Sequence, residues 1–405
     1  VVKTRKYYKT LEGMNLKRVG PISILHIVAL SMTMIGLKNH VTILPPILEV
    51  GGRDGWMSVI LAAVVMSFWI FILVYIYKQA KQRPLMEWLQ EATGPKTSTI
   101  FRYVVGIYLF VLAAFTMREA MQWVKTTFLP TTSIIVLLII YIVLCILLAT
   151  SNIQTIAIVN VMVLFGVLVL GFFVAFVNIQ VKDYSLIRPF LEHGWEPVLK
   201  ASIFPAAGYI ELILLLFLQQ DIKDKMRWYH FAIILFLLMG LTLGPLLGAI
   251  TEFGPHEAAE QNYPAYEEWG LVTIGQFIEH LDFFSIYQWL TGAFIRVGLL
   301  LFISIDLLKM KNKKPVWFIL APAFFIICMI LTLINDNLFL FIKGNYFLIT
   351  TFVFFLLVSI FLFLIAFFHK KTTKKEKRRM KGGKQSETNG GKTGSSNNKR
   401  TIQEE

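Results

Sequence analysis

Five charged residues fall inside or beside long apolar runs of this sequence: Lys38, Arg118, Glu119, Glu211 and Arg296. A charged side chain at the centre of a bilayer costs roughly 3 kcal/mol or more unless it is paired or hydrated. These positions therefore predict either ion pairs that hold helices together or a site for a polar ligand.

Lys38 and Glu211 each flank a predicted helix break, Lys38 in GLKNH and Glu211 at the end of FPAAGYIE. Glycine weakens a helix and proline removes a backbone donor, so the freed amides and carbonyls could hold the ammonium and carboxylate of a small ligand. A purely structural Lys38–Glu211 pair is the alternative. The predicted ligand-binding residues are Gly36, Leu37, Lys38, Asn39, Phe204, Pro205, Ala206, Gly208, Tyr209 and Glu211.

Four further polar residues are candidates for gating or pairing: Arg118, Glu119, Gln288 and Arg296. Trp123 follows the Arg118–Glu119 pair, which favours structural pairing near a membrane interface. For Arg296, a structural ion pair and a ligand role remain equally open.

The sequence contains no catalytic or metal-binding constellation: no phosphate-binding loop, no zinc-ligand spacing and no nucleophile with a base nearby. Cys145 and Cys328 both lie in apolar runs and are interpreted as packing residues. We therefore expect neither an enzyme nor a resident metal or cofactor.

The composition predicts an all-α transmembrane protein. Hydrophobic residues make up 56% and charged residues only 16% of the 405 positions, against about 25% charged in soluble domains. Apolar runs of about 20 residues without period-two alternation predict membrane-spanning helices. Ten spans are predicted, at 22–48, 56–78, 101–124, 133–150, 155–178, 198–219, 228–252, 283–308, 316–334 and 346–368.

The loop charges predict the orientation of these spans. Lysine and arginine concentrate in the N-terminal segment, the second, sixth and eighth loops and the C-terminal tail, whereas the other side carries only Arg53, Lys125, Lys182, Arg188 and Lys343. The positive-inside rule then places both termini in the cytoplasm. The net charge of +14 follows from this topology, so no nucleic-acid partner is expected.

Three parts of the chain are predicted: a cytoplasmic N-terminal segment at 1–20, a ten-helix transmembrane domain at 21–368 and a basic tail at 369–405. The first shows no signal-peptide pattern. The tail has almost no apolar residues, which predicts disorder and weak attraction to anionic membrane lipid. The loop segment GQFIEHLDFF has apolar residues near helical spacing, which predicts an interfacial helix.

The two interrupted spans, the first and the sixth, occupy matching places in two halves of five spans. Because five is odd, the second half must start on the opposite side of the membrane. This arrangement predicts a five-plus-five inverted-repeat, transporter-like fold with a binding cavity near the midplane.

The sequence resembles the spore germination permease family, the membrane-embedded B subunits of nutrient germinant receptors, within the amino acid–polyamine–organocation transporter superfamily. The resemblance covers about residues 20–368 and is most specific in YPAYEEWGLVTIGQFIEHLDFFSIYQWLTGAFIRVGLLLF at 263–302. FPAAGYIELILLLF at 204–217 and REAMQWVKTTFLPTT at 118–132 also resemble stretches of that family. The first break departs from the superfamily, because GLKNH replaces a small, glycine-rich segment. Span five has no lysine that could stand in for a sodium ion, so ion coupling is not expected.

The resemblance implies a sensor in the inner membrane of the spore that binds a nutrient germinant, expected to be an amino acid, between spans one, three, six and eight. It also implies partner subunits, namely a second membrane subunit and a lipoprotein. A permease that transports the same class of molecule remains the alternative, and stoichiometry of uptake separates the two.

Overall fold

A computed structural model of the chain describes residues 21–273, 281–310 and 312–390. In these residues, nine helices are long and apolar enough to cross a membrane, and a tenth apolar helix, Ile134–Ala149, is shorter. Large apolar side chains cover the outer surface, and Phe318, for example, is 79% exposed. An apolar exterior of this kind is suited to lipid, which confirms the all-α transmembrane fold.

Six of the ten spans are single α-helices, and in the other four the helix type changes along the span. Spans 2, 3, 4, 5, 7 and 8 are regular α-helices: Gly55–Ala80, Pro95–Thr127, Ile134–Ala149, Ile153–Val177, Trp228–Phe253 and Phe284–Leu307. Span 1 is Ile24–Leu37, the π-helix Lys38–Thr42 and Leu44–Gly51; span 6 is Trp195–Ala201, Ile203–Tyr209 and the 3₁₀ helix Ile210–Phe217. Span 9 is Lys313–Pro315, the π-helix Val316–Leu320 and Ala321–Thr332; span 10 is Asp336–Ile342, the π-helix Lys343–Phe347 and Leu348–Gly390.

The interruptions in spans 1 and 6 are confirmed, but they are changes of helix type and not unwound segments. Gly36 is still α-helical, and the π-helix starts two residues later. Pro205 to Gly208 also lie within an α-helix. Pro205 is tolerated there because it falls in the first turn of Ile203–Tyr209, where backbone amides have no partner in the same helix.

Helix packing follows the predicted repeat, in which span n corresponds to span n+5. Span 3 packs on span 8, and span 2 packs on span 7. Span 1 contacts spans 5 and 7, and its counterpart span 6 contacts the corresponding spans 10 and 2. Span 4 packs on span 8, and span 9 packs on span 3. Many of the helix contacts are therefore repeated in the two halves.

Contacts between connecting segments place the same segments together on each side of the bundle as the charge pattern predicts. Ile22 forms a backbone bridge with the loop after span 6, where Lys223 N donates to Ile22 O at 2.8 Å. Gln82, after span 2, donates to Ile222 O at 2.7 Å on that side. On the opposite side, which we call the outer side, Asp183 N donates to Thr251 O at 2.8 Å.

Two predicted boundaries differ from the structure. Lys343 was expected in an outer loop, but it lies inside span 10 and is 2% exposed, because the helix continues through a π turn. The last helix runs to Gly390, beyond the predicted boundary at 368. Residues 391–405 and most of GQFIEHLDFF, at 274–280, lie outside the described residues, so the expectations of disorder and of an interfacial helix stay predictions.

The sidedness can be tested with single cysteines. Cys145 and Cys328 are buried, so the unmodified protein should resist a membrane-impermeant maleimide. We expect Lys313→Cys to react only from the cytoplasm and Asn262→Cys only from outside, because their loops lie on opposite sides. Labelling of both from one side of sealed vesicles would overturn the ten-span topology.

Candidate binding site

Glu211 is the anion of a buried ion triad that joins spans 1, 6 and 8. Lys38 Nζ lies 2.9 Å from Glu211 Oε1. Arg296 donates from Nη1 to Oε2 at 2.7 Å and from Nη2 to Oε1 at 3.0 Å. Glu211 is fully buried, and the two cations are each 2% exposed. The predicted Lys38–Glu211 proximity is thus found, and Arg296 makes the stronger, bidentate contact.

The two cations also satisfy carbonyl groups that the interrupted helices release. In a regular α-helix Met34 O would accept from Lys38 N, but Lys38 N donates to Ile35 O. Met34 O instead accepts from Arg296 Nη1. In span 6, Ala207 O accepts from Lys38 Nζ at 2.8 Å. The sequence predicted that a ligand would satisfy these breaks, whereas the protein's own side chains do so at both carbonyls.

A second buried ion pair joins span 3 to span 10. Lys343 Nζ lies 2.9 Å from Glu119 Oε1, and Thr42 of the span 1 π-helix donates to Glu119 Oε2 at 2.9 Å. A cavity of about 10 Å³ lies between this pair and the triad, lined by side chains that include Lys38, Arg296 and Glu119. That volume is close to the space one water molecule requires.

Arg118 binds span 10 near the outer side. It donates to Asp336 Oδ1 at 2.6 Å and to Ile334 O at 3.2 Å, and its guanidinium lies 3.8 Å from the centroid of the Phe339 ring. The expected structural pairing of Arg118 and Glu119 is therefore present, but each residue pairs with span 10 and not with the other. The sequence did not reveal these partners because Lys343 was assigned to a loop.

Gly208 faces a side chain and not an open ligand space. A methyl group at Gly208 would lie 1.8 Å from Asn39 Oδ1. Asn39 is fully buried and donates through Nδ2 to Thr242 Oγ1 at 3.2 Å. The rest of this helix, including the buried Phe204, Pro205, Ala206 and Tyr209, packs in a segment that contacts spans 2 and 10.

The ligand-sized cavity lies elsewhere, among spans 1, 5, 7 and 8, and has a volume of about 520 Å³. Gly36 and Leu37 form its wall on span 1, and Gln288 contributes from span 8. The other predicted ligand-binding residues do not line this cavity. Those of span 1 lie on the opposite face of the helix, because the helical rotation after Leu37 turns Lys38 toward the triad. The rest belong to span 6. Apolar residues and glycines of spans 5 and 7 supply about half of the wall.

Polar residues that the sequence analysis missed close the outer end of this cavity. Asn178 Nδ2 donates at 2.8 Å to both Glu252 Oε2 and Glu268 O. Lys182 Nζ lies 3.3 Å from Glu252 Oε1, and Trp269 Nε1 donates to Gln288 Oε1 at 2.8 Å. Glu252 and Glu268 were not singled out because they stand at a span end and in a loop, where acidic residues are common.

The triad predicts unequal effects of removing its members. Lys38→Met leaves the bidentate Glu211–Arg296 pair intact and removes the donor to Ala207 O, a loss of about 1–3 kcal/mol. Glu211→Gln leaves two buried cations unpaired, which should cost about 3–5 kcal/mol or more. We expect modest loss of folded protein in Lys38→Met and severe loss in Glu211→Gln, measured as thermal stability in detergent, with Lys314→Met as the control.

The triad also predicts which combination of substitutions restores stability. Combining Lys38→Met with Glu211→Gln still leaves Arg296 unpaired, so stability should not return until Arg296→Met is added. Full recovery in the double variant would show that Arg296 does not depend on Glu211.

The contact over Gly208 gives a compensation test. Gly208→Ala should destabilise the protein because its methyl group would overlap Asn39 Oδ1. Replacing Asn39 by Ala removes that atom, so Gly208→Ala with Asn39→Ala should melt at a higher temperature than Gly208→Ala alone. A double variant no more stable than Gly208→Ala would argue against this contact.

Comparison with known proteins identifies the family. The family model described as spore germination protein matches residues 22–337. Spore germination protein XB of Bacillus anthracis is 37% identical over 316 residues, covering 77% of this chain and 88% of that protein. Spore germination protein KB of Bacillus subtilis (strain 168) is 22% identical over 279 residues, covering 66% of this chain and 74% of that protein. The chain therefore belongs to the spore germination protein family.

Proposed function

We propose that this protein is the membrane-embedded subunit of a nutrient germinant receptor and that it binds a small nutrient, an amino acid or a similar molecule. It would act with a second membrane subunit and a lipoprotein in the inner membrane of the spore, with both termini in the cytoplasm. The observation that carries the proposal is the cavity of about 520 Å³ against the interrupted span 1. Its volume is within the range typical of small-molecule sites.

The position of the cavity supports a sensing role. Gly36 and Leu37 line it, and the next residue, Lys38, belongs to the triad that joins spans 1, 6 and 8. A ligand that shifts the cavity wall on span 1 would therefore also act on Lys38. The same π-helix contacts span 3 through Thr42 and Glu119. Binding could in this way favour one arrangement of four spans over another, which is the physical requirement for a ligand-driven switch.

Filling the cavity should block binding. A Cβ atom added at Gly240 or Gly244 meets no other atom within 4 Å, and both glycines line the cavity. Gly240→Leu and Gly244→Leu should therefore fold and occupy ligand space. A nutrient that must share the cavity with the added side chain should lose about 1–3 kcal/mol of binding free energy, the usual cost of overpacking. We therefore expect nutrient affinity to fall about ten-fold or more, measured by calorimetry with a panel of amino acids, nucleosides and sugars.

The control is Ser67→Leu, which adds similar bulk at an exposed position of span 2 and should leave affinity unchanged. Equal affinity in all three variants would refute the cavity as the nutrient site. The transport alternative is tested in vesicles containing the protein: uptake many-fold above the number of binding sites would identify a permease, whereas saturation at one nutrient per site supports a sensor.

A further inference from the structure

The large cavity lies where the two halves of the protein pack differently. Spans 2 and 10 pack directly on each other. The corresponding spans 5 and 7 form opposite walls of the cavity, with Gly171 on span 5 and Gly240 and Gly244 on span 7. The space therefore lies at one of the places where the packing of the two halves is not repeated.

One carboxylate at the outer end of this cavity has an oxygen that makes no hydrogen bond to the part of the chain that the structure describes. Glu268 lines the cavity and is only 7% exposed. Among the described residues, its Oε1 atom makes no hydrogen bond. Both carboxylate oxygens lie over Gly248 of span 7, where an added methyl group would come within 2.6 Å of Oε1. A buried carboxylate oxygen without a donor is costly, so this group is suited to a ligand that supplies one.

The charges around Glu268 favour a cation. Burial, and after it the charge of nearby Glu252, raise the pKa of Glu268 well above its ordinary range, so the ionised form of Glu268 needs an added cation beside it. Lys182 is bonded to Glu252 and not to Glu268. Two carboxylates thus share one ammonium in the described part of this cluster, and a second ammonium would balance them. Trp269 and Tyr266 also line the cavity, and aromatic rings are groups that attract cations.

The rest of the wall defines the other half of the ligand. Five polar residues line the cavity: Thr33, His40, Lys182, Glu268 and Gln288. The remaining lining is mostly aliphatic and aromatic, with contributions such as Leu164, Val167 and Phe236. A branched or linear hydrocarbon group would replace empty space there, at about 25 cal/mol for each Å² of apolar surface removed from water.

We propose that Glu268 is the ammonium-binding group of the cavity and that the ligand is an amine with an apolar body, such as an aliphatic amino acid. This inference rests on the proposed function and specifies its ligand class. A free carboxylate on the ligand is not required, because Lys182 is already bonded to Glu252.

Three probes of one shape test the inference by calorimetry on the purified full-length protein: isoamylamine, L-leucine and 4-methylpentanoic acid. We expect isoamylamine and L-leucine to bind and 4-methylpentanoic acid, which lacks an ammonium group, to fail to compete with them. Glu268→Gln should weaken the binding of both amines about ten-fold or more, because an ammonium–carboxylate contact becomes a neutral one. Glu267→Gln, an exposed neighbour, is the matched control and should bind normally.

Three results would overturn the inference. These are unchanged amine affinity in Glu268→Gln, competition by the acid equal to that by the amine, and absence of amine binding altogether. The acid competition uses the unmodified protein, so the test does not depend on folding of a variant. If instead a non-amine nutrient binds and Gly240→Leu blocks it, the proposed function survives and only the ammonium assignment fails.

Discussion

The fold depends on one carboxylate, Glu211, held in the middle of a membrane protein. A buried anion must be compensated, and here the compensation comes from two different spans through Lys38 and Arg296. These cations in turn bind the carbonyls of Ala207 and Met34 that the interrupted helices release. The ion triad and the helix breaks therefore require each other: without the breaks the cations would lack these acceptors, and without the cations the carbonyls would lack donors in an apolar surrounding.

Span 1 belongs to two ion networks at once. Its π-helix supplies Lys38 to the triad and Thr42 to the Glu119–Lys343 pair, while Gly36 and Leu37 just before it form a wall of the large cavity. The seven residues from Gly36 to Thr42 thus contact both ion networks and the cavity. A displacement of span 1 at the cavity wall would therefore also disturb polar contacts that reach spans 3, 6, 8 and 10.

Sequence analysis predicted the fold well because its signals are strong ones. Long apolar runs, basic loops and paired interruptions gave the ten spans and the repeat, and Lys38 and Glu211 do meet. The site was harder to predict. Lys343 and Asp336 fall between the predicted ninth and tenth spans, because charged residues at these positions resemble a span end. The cavity depends on which face of each helix points inward. Gly208 was expected to approach a ligand, but Asn39 of span 1 fills that space, and no sequence pattern indicates this contact.

The π-helices have a consequence for how substitutions, insertions and deletions would be tolerated along the chain. A π turn holds one residue more than an α turn needs, so it acts as a local insertion that changes the angular phase of everything after it by about 100°. In span 1 and span 10 the extra residue occurs where Lys38 and Lys343 begin the turn. Loss of a single residue from either segment would restore a regular α-helix and at the same time rotate the remainder of that span away from its partners. In these two spans, segment length is thus as restricted as residue identity.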